Sequence, residues 1–448
     1  MNAVAGAPAV AGSARPEART GREAGGDVDA AAARIVLLGT GTVGSAVLAR
    51  LAAWSGTRLG DRLSLVQVAN TRRSIADTRG LCPERASTVF LSALRGQPAY
   101  SAGQGEPAAS EPGQPVAAHG KDVASHPGAL HLGIDDRADQ WPAGTAAHPL
   151  KALRARALDG AESDRAGVAA ALGGRGTRIL IDATASDAVA GHHAQWLAQG
   201  IHVVTACKLG QGTSLARWRA IQQACVRRDA CYGDSATVGA GLPLLRSIRE
   251  LRAGGDRIHA IAGVLSGSLA WLFHHYDGLR PFSGFVRDAR DAGYTEPDPR
   301  EDLSGEDVRR KLLILARAAG TQLDVHDIDV QSLVPAPLAR LPAAQVDAAL
   351  SALDAPLRER YAQAWKDRAK LRFIARLEGI DQGQVVARVG LEALDAGHPL
   401  AGGCGTDNRV AIWSDRYCDQ PLLIQGPGAG AAATAAALLD DVLRIARR

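Results

Sequence analysis

The chain has 448 residues, and its 51 lysines and arginines against 47 aspartates and glutamates leave a formal net charge of only +4. That charge is too small to indicate nucleic-acid binding, and no apolar run reaches the roughly 20 residues that a helix needs to cross a bilayer. The six cysteines lack the paired spacing of metal sites, which is typical of free thiols in a reducing cytosol. We therefore expect a cytoplasmic protein of about two to three domains without nucleic-acid or membrane partners.

Two stretches show no sustained hydrophobic pattern. Residues 1–33 are rich in Ala, Gly, Arg and Glu and lack the apolar segment of a secretory signal, so we interpret them as a disordered tail, with a transit peptide as the weaker alternative. Residues 96–150 are dominated by small and polar residues, which favours a low-complexity insertion. Its histidines are interpreted as incidental and not as metal ligands: His119, His126, His131 and His148.

The first patterned segment is an apolar strand at 34–38 that breaks into the turn GTGTVG at 39–44 and continues as a helix. Gly39 makes the turn, Gly41 lets the backbone approach a pyrophosphate, and Gly44 allows close helix–strand packing. The helix N-terminus supplies N–H groups and partial positive charge for the phosphates. The turn predicts a dinucleotide site, whereas a tight turn in an ordinary α/β unit is the alternative. The candidate cofactor residues here are Gly39, Gly41, Thr42, Val43 and Gly44.

The second strand, at 63–69, ends in a small polar pair followed by two arginines. An NAD enzyme often places Asp or Glu here to hold the ribose 2′-hydroxyl, and neither is present. Asn70 followed by Arg72 and Arg73 suits a 2′-phosphate instead, so the sequence favours NADP, with NAD still open. Arginines on a solvated loop are the alternative interpretation.

Helices are predicted near 150–172 and over 187–199. Two further strands, at 178–182 and 201–205, are also followed by polar residues. In doubly wound sheets the carboxyl ends of such strands face the cofactor crevice. We therefore expect Thr184 and Ser186 to contact ribose or nicotinamide. Lys208 is expected to meet substrate or cofactor, although its position is equally compatible with a surface lysine.

The acidic stretch at 293–317 reads GYTEPDPREDLSGEDVRRKLLILAR and runs from a proline-stiffened loop into a helix. Ser304 lies three residues before Asp307, which predicts a capping-box-like helix start. Asp307 and Lys311 are four residues apart and share a helix face. The apolar run after Lys311 predicts a largely buried helix, and a lysine held there beside converging carboxylates suits proton transfer. A solvated ion pair is the alternative.

Glycine turns mark two later segments. The turn VGAGLP at 238–243 opens a helix, and its carbonyls are a candidate site for a hard monovalent cation, with a packing turn as the alternative. The segment at 426–448 begins with a glycine turn and continues as an amphipathic helix. Further strands are predicted near 258–265, 371–377, 384–389, 410–413 and 421–425.

Together these segments resemble homoserine dehydrogenase, in the form found alone and as the carboxyl-terminal half of aspartokinase fusions. The resemblance runs from residue 34 to the end, apart from the insertion. It rests on five motifs in this order: SATVGAGLP, GVLSGSLAWLF, GYTEPDPREDLSGEDVRRKLLILAR, HPLAGGCGTDNRVAIWSDRY and PLLIQGPGAGAAATAA.

The resemblance implies an α/β protein with a Rossmann-type NAD(P)-binding domain at 34–232. It implies an α+β dimerisation and catalytic domain with a mixed sheet at 233–425, after which residues 426–448 return to the nucleotide-binding domain. The implied activity is the reversible, NAD(P)-dependent oxidation of L-homoserine to L-aspartate 4-semialdehyde by a homodimer. This reaction is a step towards threonine, isoleucine and methionine.

The resemblance also implies roles for single residues. Lys311 is similar to the acid/base that takes the proton of the homoserine 4-hydroxyl, and Asp307 to its companion carboxylate. Glu296 and Asp302 are similar to the residues that hold the substrate ammonium group and organise the pocket. Lys208 matches the lysine at the boundary between cofactor and substrate.

The resemblance also implies that Thr184 and Gly430 contact nicotinamide and ribose. A sodium ion is implied at the backbone carbonyls of Ser235, Val238, Ala240 and Leu242.

The sequence departs from the family pattern at three positions. Cys207 replaces an asparagine beside Lys208, Ser235 replaces a glutamate before the 238–243 turn, and Glu301 replaces an aspartate. A thiol is a poor substitute for an amide with two donors and an acceptor. These changes keep two alternatives open: a cofactor-binding paralogue with impaired catalysis that acts as a partner or regulator, and a dehydrogenase for a related amino alcohol.

Overall fold

The structure, a computed structural model, describes residues 32–91, 156–157, 163–403 and 405–448. Nearly all of the expected tail at 1–33 and the whole expected insertion at 96–150 therefore lie outside the described residues. Of the helix expected near 150–172, the structure describes Ser163–Ala171. Within these described ranges, no helix combines the length and the apolar character needed to cross a membrane.

The described strands form two sheets, as the predicted combination of a Rossmann-type sheet and a mixed sheet requires. The first sheet has the order β4-β3-β2-β1-β5-β6-β7. The five neighbouring strands β2, β1, β5, β6 and β7 run parallel, whereas β3 pairs antiparallel with β2 and β4 pairs antiparallel with β3 at the edge. These strands are β1 Ala33–Leu38, β2 Leu63–Ala69, β3 Arg73–Ala76, β4 Arg156–Ala157, β5 Arg178–Asp182, β6 His202–Thr205 and β7 Tyr232–Gly233.

The second sheet has the order β13-β12-β8-β10-β11-β9. Its neighbours are antiparallel except for β11 and β9, which run parallel, so the sheet is mixed. Its strands are β8 Ile258–Val264, β9 Ile328–Val330, β10 Ala369–Glu378, β11 Val386–Asp395, β12 Asp407–Ser414 and β13 Leu422–Pro427.

Helices connect and cover both sheets. Those up to the end of the first sheet are α1 Thr42–Ala53, α2 Pro83–Leu91, α3 Ser163–Ala171, α4 Asp187–Ala190, α5 His193–Ala198 and α6 Leu215–Arg228. Those that follow are α7 Leu244–Ala253, α8 Gly267–His275, α9 Phe282–Asp291, α10 Arg300–Leu303, α11 Glu306–Ala318, α12 Ala336–Ala339, α13 Ala343–Ala349, α14 Asp354–Lys366 and α15 Ala431–Ala446.

Strand β1 shows why the first sheet needs a helix layer on each face. Ile35 and Leu37 are buried in one apolar cluster, while Val36 and Leu38 are buried in another on the opposite face. Successive side chains of a strand point to opposite faces, and a parallel strand covered on both sides therefore reads as a continuous apolar run.

The final helix packs in the core of the first sheet and not in that of the second. Leu438, Leu439 and Val442 of α15 belong to the same buried cluster as Ile35 of β1 and Val47 of α1. This packing agrees with the expected return of residues 426–448 to the nucleotide-binding domain. The domain boundaries themselves stay predictions.

Two local expectations were wrong. The helix expected over 187–199 is two short helices, α4 and α5, because Gly191 and His192 form a turn between them. The helix expected to start with a Ser304 capping box starts instead after Gly305, whose φ of 77° lies in the left-handed region. The Ser304 hydroxyl accepts a hydrogen bond from the N–H of Glu306 and donates one to the Glu301 carbonyl.

We expect Gly44→Ala to lower the free energy of unfolding by about 1–3 kcal/mol, because a Cβ at position 44 would collide with the carbonyl oxygen of Gly39. Gly41→Ala is the matched control, since a Cβ there meets no atom within 4 Å and should change stability by about 0.5 kcal/mol or less. Urea unfolding of both variants measures the difference. Equal stability of the two would contradict the packing role of Gly44.

Candidate active site

Asp307 joins two lysines that come from different parts of the fold. Its carboxylate lies 2.8 Å from the Lys311 Nζ, one helical turn further along α11, and 3.3 Å from the Lys208 Nζ. Lys208 starts the 3-10 turn that follows β6. The structure thus brings together all three residues that were predicted to be catalytic.

Lys311 is the most enclosed of the three, with 12% of its side chain exposed against 34% for Lys208 and 45% for Asp307. Its Nζ also donates to the carbonyl oxygen of Leu265, at 2.7 Å, just beyond the end of β8. Partial burial alone would raise the pKa of Asp307, but the charges of Lys311 and Lys208 outweigh that effect and lower the pKa to about 2. Asp307 is therefore ionised throughout the neutral pH range.

A second carboxylate, Asp302 on α10, organises the acidic loop. One of its oxygens accepts a hydrogen bond from the Ser268 hydroxyl at 2.7 Å, and the other accepts from the backbone N–H of Glu296 at 2.8 Å. The Ser268 hydroxyl lies 2.8 Å from that of Ser266, the residue that caps α8. Since Leu265 contacts Lys311 and Ser268 contacts Asp302, the short 265–268 segment links the two acidic groups.

Not all of the acidic side chains in this stretch converge on one point. Asp298 forms an ion pair with Arg300 at 2.6 Å, and Glu306 pairs with Arg309. The Glu296 carboxylate is exposed and forms no ion pair with any described residue. The loop therefore offers Glu296 to a ligand, whereas Asp298 and Glu306 stabilise the loop itself.

The glycine turn before α1 has the shape that a phosphate group requires. Gly39 has a φ of 94°, and a Cβ there would meet the Ala183 carbonyl oxygen at 2.7 Å. Gly41, the N-cap of α1, faces open space and provides no side-chain cap, so the first N–H groups of the helix are available to an anion. Thr42 and Val43 form the first turn of that helix.

The two arginines after β2 are held in a defined turn. The Asn70 side-chain oxygen accepts hydrogen bonds from the backbone N–H groups of Arg72, at 2.8 Å, and Arg73, at 2.9 Å. Its amide nitrogen donates to the Thr40 hydroxyl at 2.7 Å, which fixes this turn to the glycine turn. Both arginines are exposed, and neither pairs with a carboxylate in the described part of the chain.

A buried network that the sequence reasoning missed holds the ends of β5 and β6. Asp182 is fully buried and accepts from the N–H and the hydroxyl of Thr184, from the Thr205 hydroxyl and from the His193 Nε2, at 2.6–3.1 Å. The His193 Nδ1 lies 2.8 Å from the Tyr232 hydroxyl. The only sequence signal was the position of Asp182 at a strand end; its partners are distant in sequence.

Cys207 lies next to this network and is almost fully buried. Its backbone N–H donates to the Thr205 hydroxyl at 2.9 Å, and burial raises the pKa of its thiol to about 11. Ser186 caps α4 through Val189, and its carbonyl lies 4.0 Å from the Cys207 sulfur. The residue that replaces the family asparagine is thus a buried thiol held beside Thr205 and Ser186.

The turn proposed to bind sodium is partly occupied by protein hydrogen bonds. Ala240 has a φ of 51°, and the Leu242 carbonyl already accepts from the N–H of Leu244 at 2.8 Å. The N–H and hydroxyl of Ser235 both bond to the buried carboxylate of Asp441 on α15, at 3.0 and 2.9 Å. The cation site, which also includes Val238, stays a prediction.

The second glycine turn ends at Gly430, which is the N-cap of α15. Gly430 has a φ of 120°, and a Cβ there would meet nothing within 4 Å. Like Gly41, it therefore borders open space at the start of a helix in the first core.

A Rossmann-type sheet with a glycine turn before its first helix, together with a lysine–aspartate–lysine cluster, is typical of a nucleotide-dependent oxidoreductase. The sequence model of the family described as homoserine dehydrogenase matches residues 243–443. Homoserine dehydrogenase of Saccharomyces cerevisiae is 38% identical over 276 residues, which cover 60% of this chain and 76% of the yeast protein. The chain belongs to the homoserine dehydrogenase family, as the motifs predicted.

Other relatives are longer or more distant. Bifunctional aspartokinase/homoserine dehydrogenase 2 of Zea mays is 40% identical over 273 residues, so that the match spans 60% of this chain but 29% of the maize protein. A Candida auris protein of unknown function superposes with a TM-score of 0.71 at 28% identity, covering 93% of this chain and 98% of that one. A putative homoserine dehydrogenase of Archaeoglobus fulgidus gives a TM-score of 0.63 at 18% identity, covering 92% and 98%, and shows the shared fold.

We expect Asp182→Asn to lower the free energy of unfolding by about 1–3 kcal/mol, because an amide group turns a donor towards the donors that surround Asp182. Asp187→Asn is the control, since Asp187 is 65% exposed and its pair with Arg217 contributes about 0–1 kcal/mol. Chemical unfolding compares the two variants. A larger loss of unfolding free energy in Asp187→Asn than in Asp182→Asn would contradict the stabilising role of the buried network.

We expect iodoacetamide at pH 8 to alkylate the exposed Cys82 and Cys418 long before the buried Cys207. With a pKa of about 11, only roughly one Cys207 thiol in a thousand is a thiolate at that pH. Peptide mass mapping measures the rates, and urea-unfolded protein provides the control in which all three react. Labelling of Cys207 in the native protein as fast as of Cys418 would contradict its burial.

Proposed function

We propose that this chain is a homoserine dehydrogenase that interconverts L-homoserine and L-aspartate 4-semialdehyde with NADP(H). The observation that carries the proposal is the Lys208–Asp307–Lys311 cluster next to the Asp302–Ser268 contact. The bound cofactor would supply the hydride chemistry, as NADP⁺ for the oxidation of homoserine at C4 and as NADPH for the reverse reaction. The remaining chemistry is proton transfer and positioning by side chains of this chain.

Lys311 is proposed as the group that exchanges the proton of the 4-hydroxyl. In its neutral form the amine accepts that proton as the alcohol is oxidised, and as an ammonium group it returns the proton to the aldehyde oxygen. Its low exposure and its two fixed partners, Asp307 and the Leu265 carbonyl, support this role because they hold Nζ in one place. Asp307 stabilises the ammonium form.

Glu296 and Asp302 are proposed to receive the substrate ammonium group. Asp302 holds the backbone of Glu296, and the Glu296 carboxylate remains exposed and unpaired with any described cation. Lys208, on the opposite side of Asp307, is proposed to lie between the substrate and the nicotinamide. A carboxylate facing an ammonium group and a lysine beside the reacting carbon together orient an amino alcohol.

The residues of the first sheet fit a dinucleotide phosphate. The open N-terminus of α1 at Gly41 suits the pyrophosphate, and the turn held by Asn70 presents Arg72 and Arg73 to a 2′-phosphate. Thr184, Ser186 and Gly430 are proposed to border the ribose and nicotinamide.

A sodium ion, a homodimeric assembly and a cytoplasmic location complete the proposal. The left-handed backbone at Ala240 supports an ion site, although the Leu242 carbonyl already accepts a hydrogen bond from the N–H of Leu244. The family resemblance supports the homodimer. Free thiols at the five described cysteines support a reducing compartment.

Two sequence departures keep a second candidate function open, a cofactor-binding protein with impaired catalysis. Cys207 cannot supply the hydrogen bonds of an amide beside Lys208, and the Ser235 side chain bonds to Asp441. Tight NADP binding without turnover, in both sodium and potassium buffers, would favour this candidate. Activity restored by Cys207→Asn would then identify the residue responsible.

We expect Lys311→Ala to lower kcat by about 10²–10⁴-fold, because it removes the proton-exchanging group. Binding of NADP⁺ should stay near the wild-type value, since Lys311 is not proposed to touch the cofactor. Arg246→Ala, which removes an exposed cation on α7, is the control and should leave both quantities unchanged. Reduction of NADP⁺ at 340 nm with L-homoserine measures kcat; equal losses of turnover and NADP⁺ binding would contradict the assigned role.

We expect Arg72→Ala combined with Arg73→Ala to weaken NADP⁺ binding by roughly tenfold or more, because two cations that face the 2′-phosphate are lost. NAD⁺ lacks that phosphate and should be affected by less than about twofold. The dissociation constants of both nucleotides, measured by titration calorimetry, test the expectation. An unchanged NADP⁺/NAD⁺ preference would favour the alternative that these arginines lie on a solvated loop and do not contact the cofactor.

A further inference from the structure

A cavity outside the candidate active site is lined by a different set of residues. It has a volume of about 800 Å³ and is bounded by the last residues of α8, the last turn of α14 and the first residues of β10. Ligand-binding pockets in proteins typically have volumes of about 300–1,000 Å³. None of the proposed substrate or cofactor residues lines this cavity.

The wall of this cavity is strongly cationic. Lys366, Arg368, Lys370 and Arg372 line it, and no Asp or Glu does. Within the described residues, none of these four side chains pairs with a carboxylate. Like charges gathered without counter-ions repel one another, so the cluster favours a negatively charged occupant.

Arg372 shows that part of this charge is built into the fold. It is almost fully buried, and its guanidinium donates to the carbonyls of Phe273, Leu371 and Ala401 at 2.8–2.9 Å. Backbone carbonyls fix its position but carry no net charge to neutralise it. Burial lowers the pKa of the neighbouring His274, and the charges of His275, Arg372 and Lys370 lower it further, which agrees with a positive potential here.

The opposite wall is aromatic. Tyr361 and Trp365 lie one turn apart on α14 with their rings stacked at 6.3 Å, and Tyr276 meets Tyr361 edge-on at 5.3 Å. Trp365 is 72% exposed, which is unusual for a side chain of its size. An exposed aromatic face beside cations is suited to stack on a planar ring.

We propose that this cavity binds a small anion that carries a planar ring, either a nucleoside monophosphate or an aromatic carboxylate. The ring stacks on Trp365 and Tyr361, and the anionic group lies among Lys366, Arg368 and Lys370. Both ligand types share this chemistry, and the cavity does not depend on the dehydrogenase reaction.

Titration calorimetry on protein saturated with NADP⁺, which fills the dinucleotide site, tests the proposal. AMP and salicylate are the probes that carry both a ring and an anionic group. Adenosine, which has the ring without the anion, and inorganic phosphate, which has the anion without the ring, are the half-probes. We expect AMP or salicylate to bind at least tenfold more tightly than either half-probe. Tighter AMP binding identifies the phosphate as the preferred anion, and tighter salicylate binding the carboxylate. Absence of binding by both AMP and salicylate, or a half-probe that binds as tightly as the preferred ring-bearing probe, overturns the proposal.

Variants connect that binding to the cavity. Arg368 has a φ of 55°, so Arg368→Asn, combined with Lys370→Gln, removes two charges with a residue that tolerates this backbone. The double variant and Trp365→Ala should each weaken the preferred probe at least tenfold, while the thermal midpoint and dehydrogenase activity stay unchanged. Arg227→Gln with Arg228→Gln, two exposed cations at the end of α6, is the matched control and should bind normally.

Unchanged affinity in both cavity variants overturns the proposal. Sedimentation of the same variants provides an independent check. If Trp365→Ala changes the oligomeric state and the wild type binds no probe, this face meets a second copy of the chain, and the proposal is wrong.

Discussion

The candidate site depends on one negative charge placed between two positive ones. Lys208 lies in the turn that follows β6 of the first sheet, Lys311 lies on the helix that packs on the second sheet, and Asp307 forms an ion pair with both. Two ammonium groups brought this close without a carboxylate would repel each other and separate the two layers. The pairing therefore serves two purposes, because it orients the proposed proton-exchanging amine and joins the turn after β6 to helix α11.

The segment that follows β8 contacts both Lys311 and Asp302. The Leu265 carbonyl accepts from Lys311, and three residues later Ser268 donates to Asp302. A chain leaving a strand has carbonyls that no longer pair within the sheet, so one of them is free to bind the lysine. The same short stretch thus holds Lys311, the proposed acid/base, and the Asp302 carboxylate of the loop.

Patterns local in sequence predicted much of this protein. The glycine turn, the strands and the one-turn spacing of Asp307 and Lys311 each depend on neighbours within a few residues, and the family motifs predicted the fold class and the mixed sheet. Features that depend on distant partners were missed. The sequence around Asp182 does not predict its contacts with His193 and Thr205, and the sequence around Ser235 does not predict its contact with Asp441. These partners come together only in the folded chain.

The Ser304 error has a different origin. Serine three residues before an acidic residue fits a capping box, but Gly305 adopts the left-handed conformation and begins the helix one residue later. The hydroxyl then links the end of α10 to the start of α11 instead. Ser304 thus correctly predicted that a helix starts nearby, but the capping-box geometry predicted for it was wrong.

The packing of α15 beside α1 has a consequence for how the protein is made. The core of the first sheet contains residues from both ends of the described chain, while the whole second sheet is encoded between them. At ribosomal speeds of about 5–20 residues per second, the apolar face of α1 waits roughly 20–80 s for its partner helix. During that interval the face of the first sheet that α15 covers stays exposed, and transiently exposed apolar surface favours aggregation of a nascent chain.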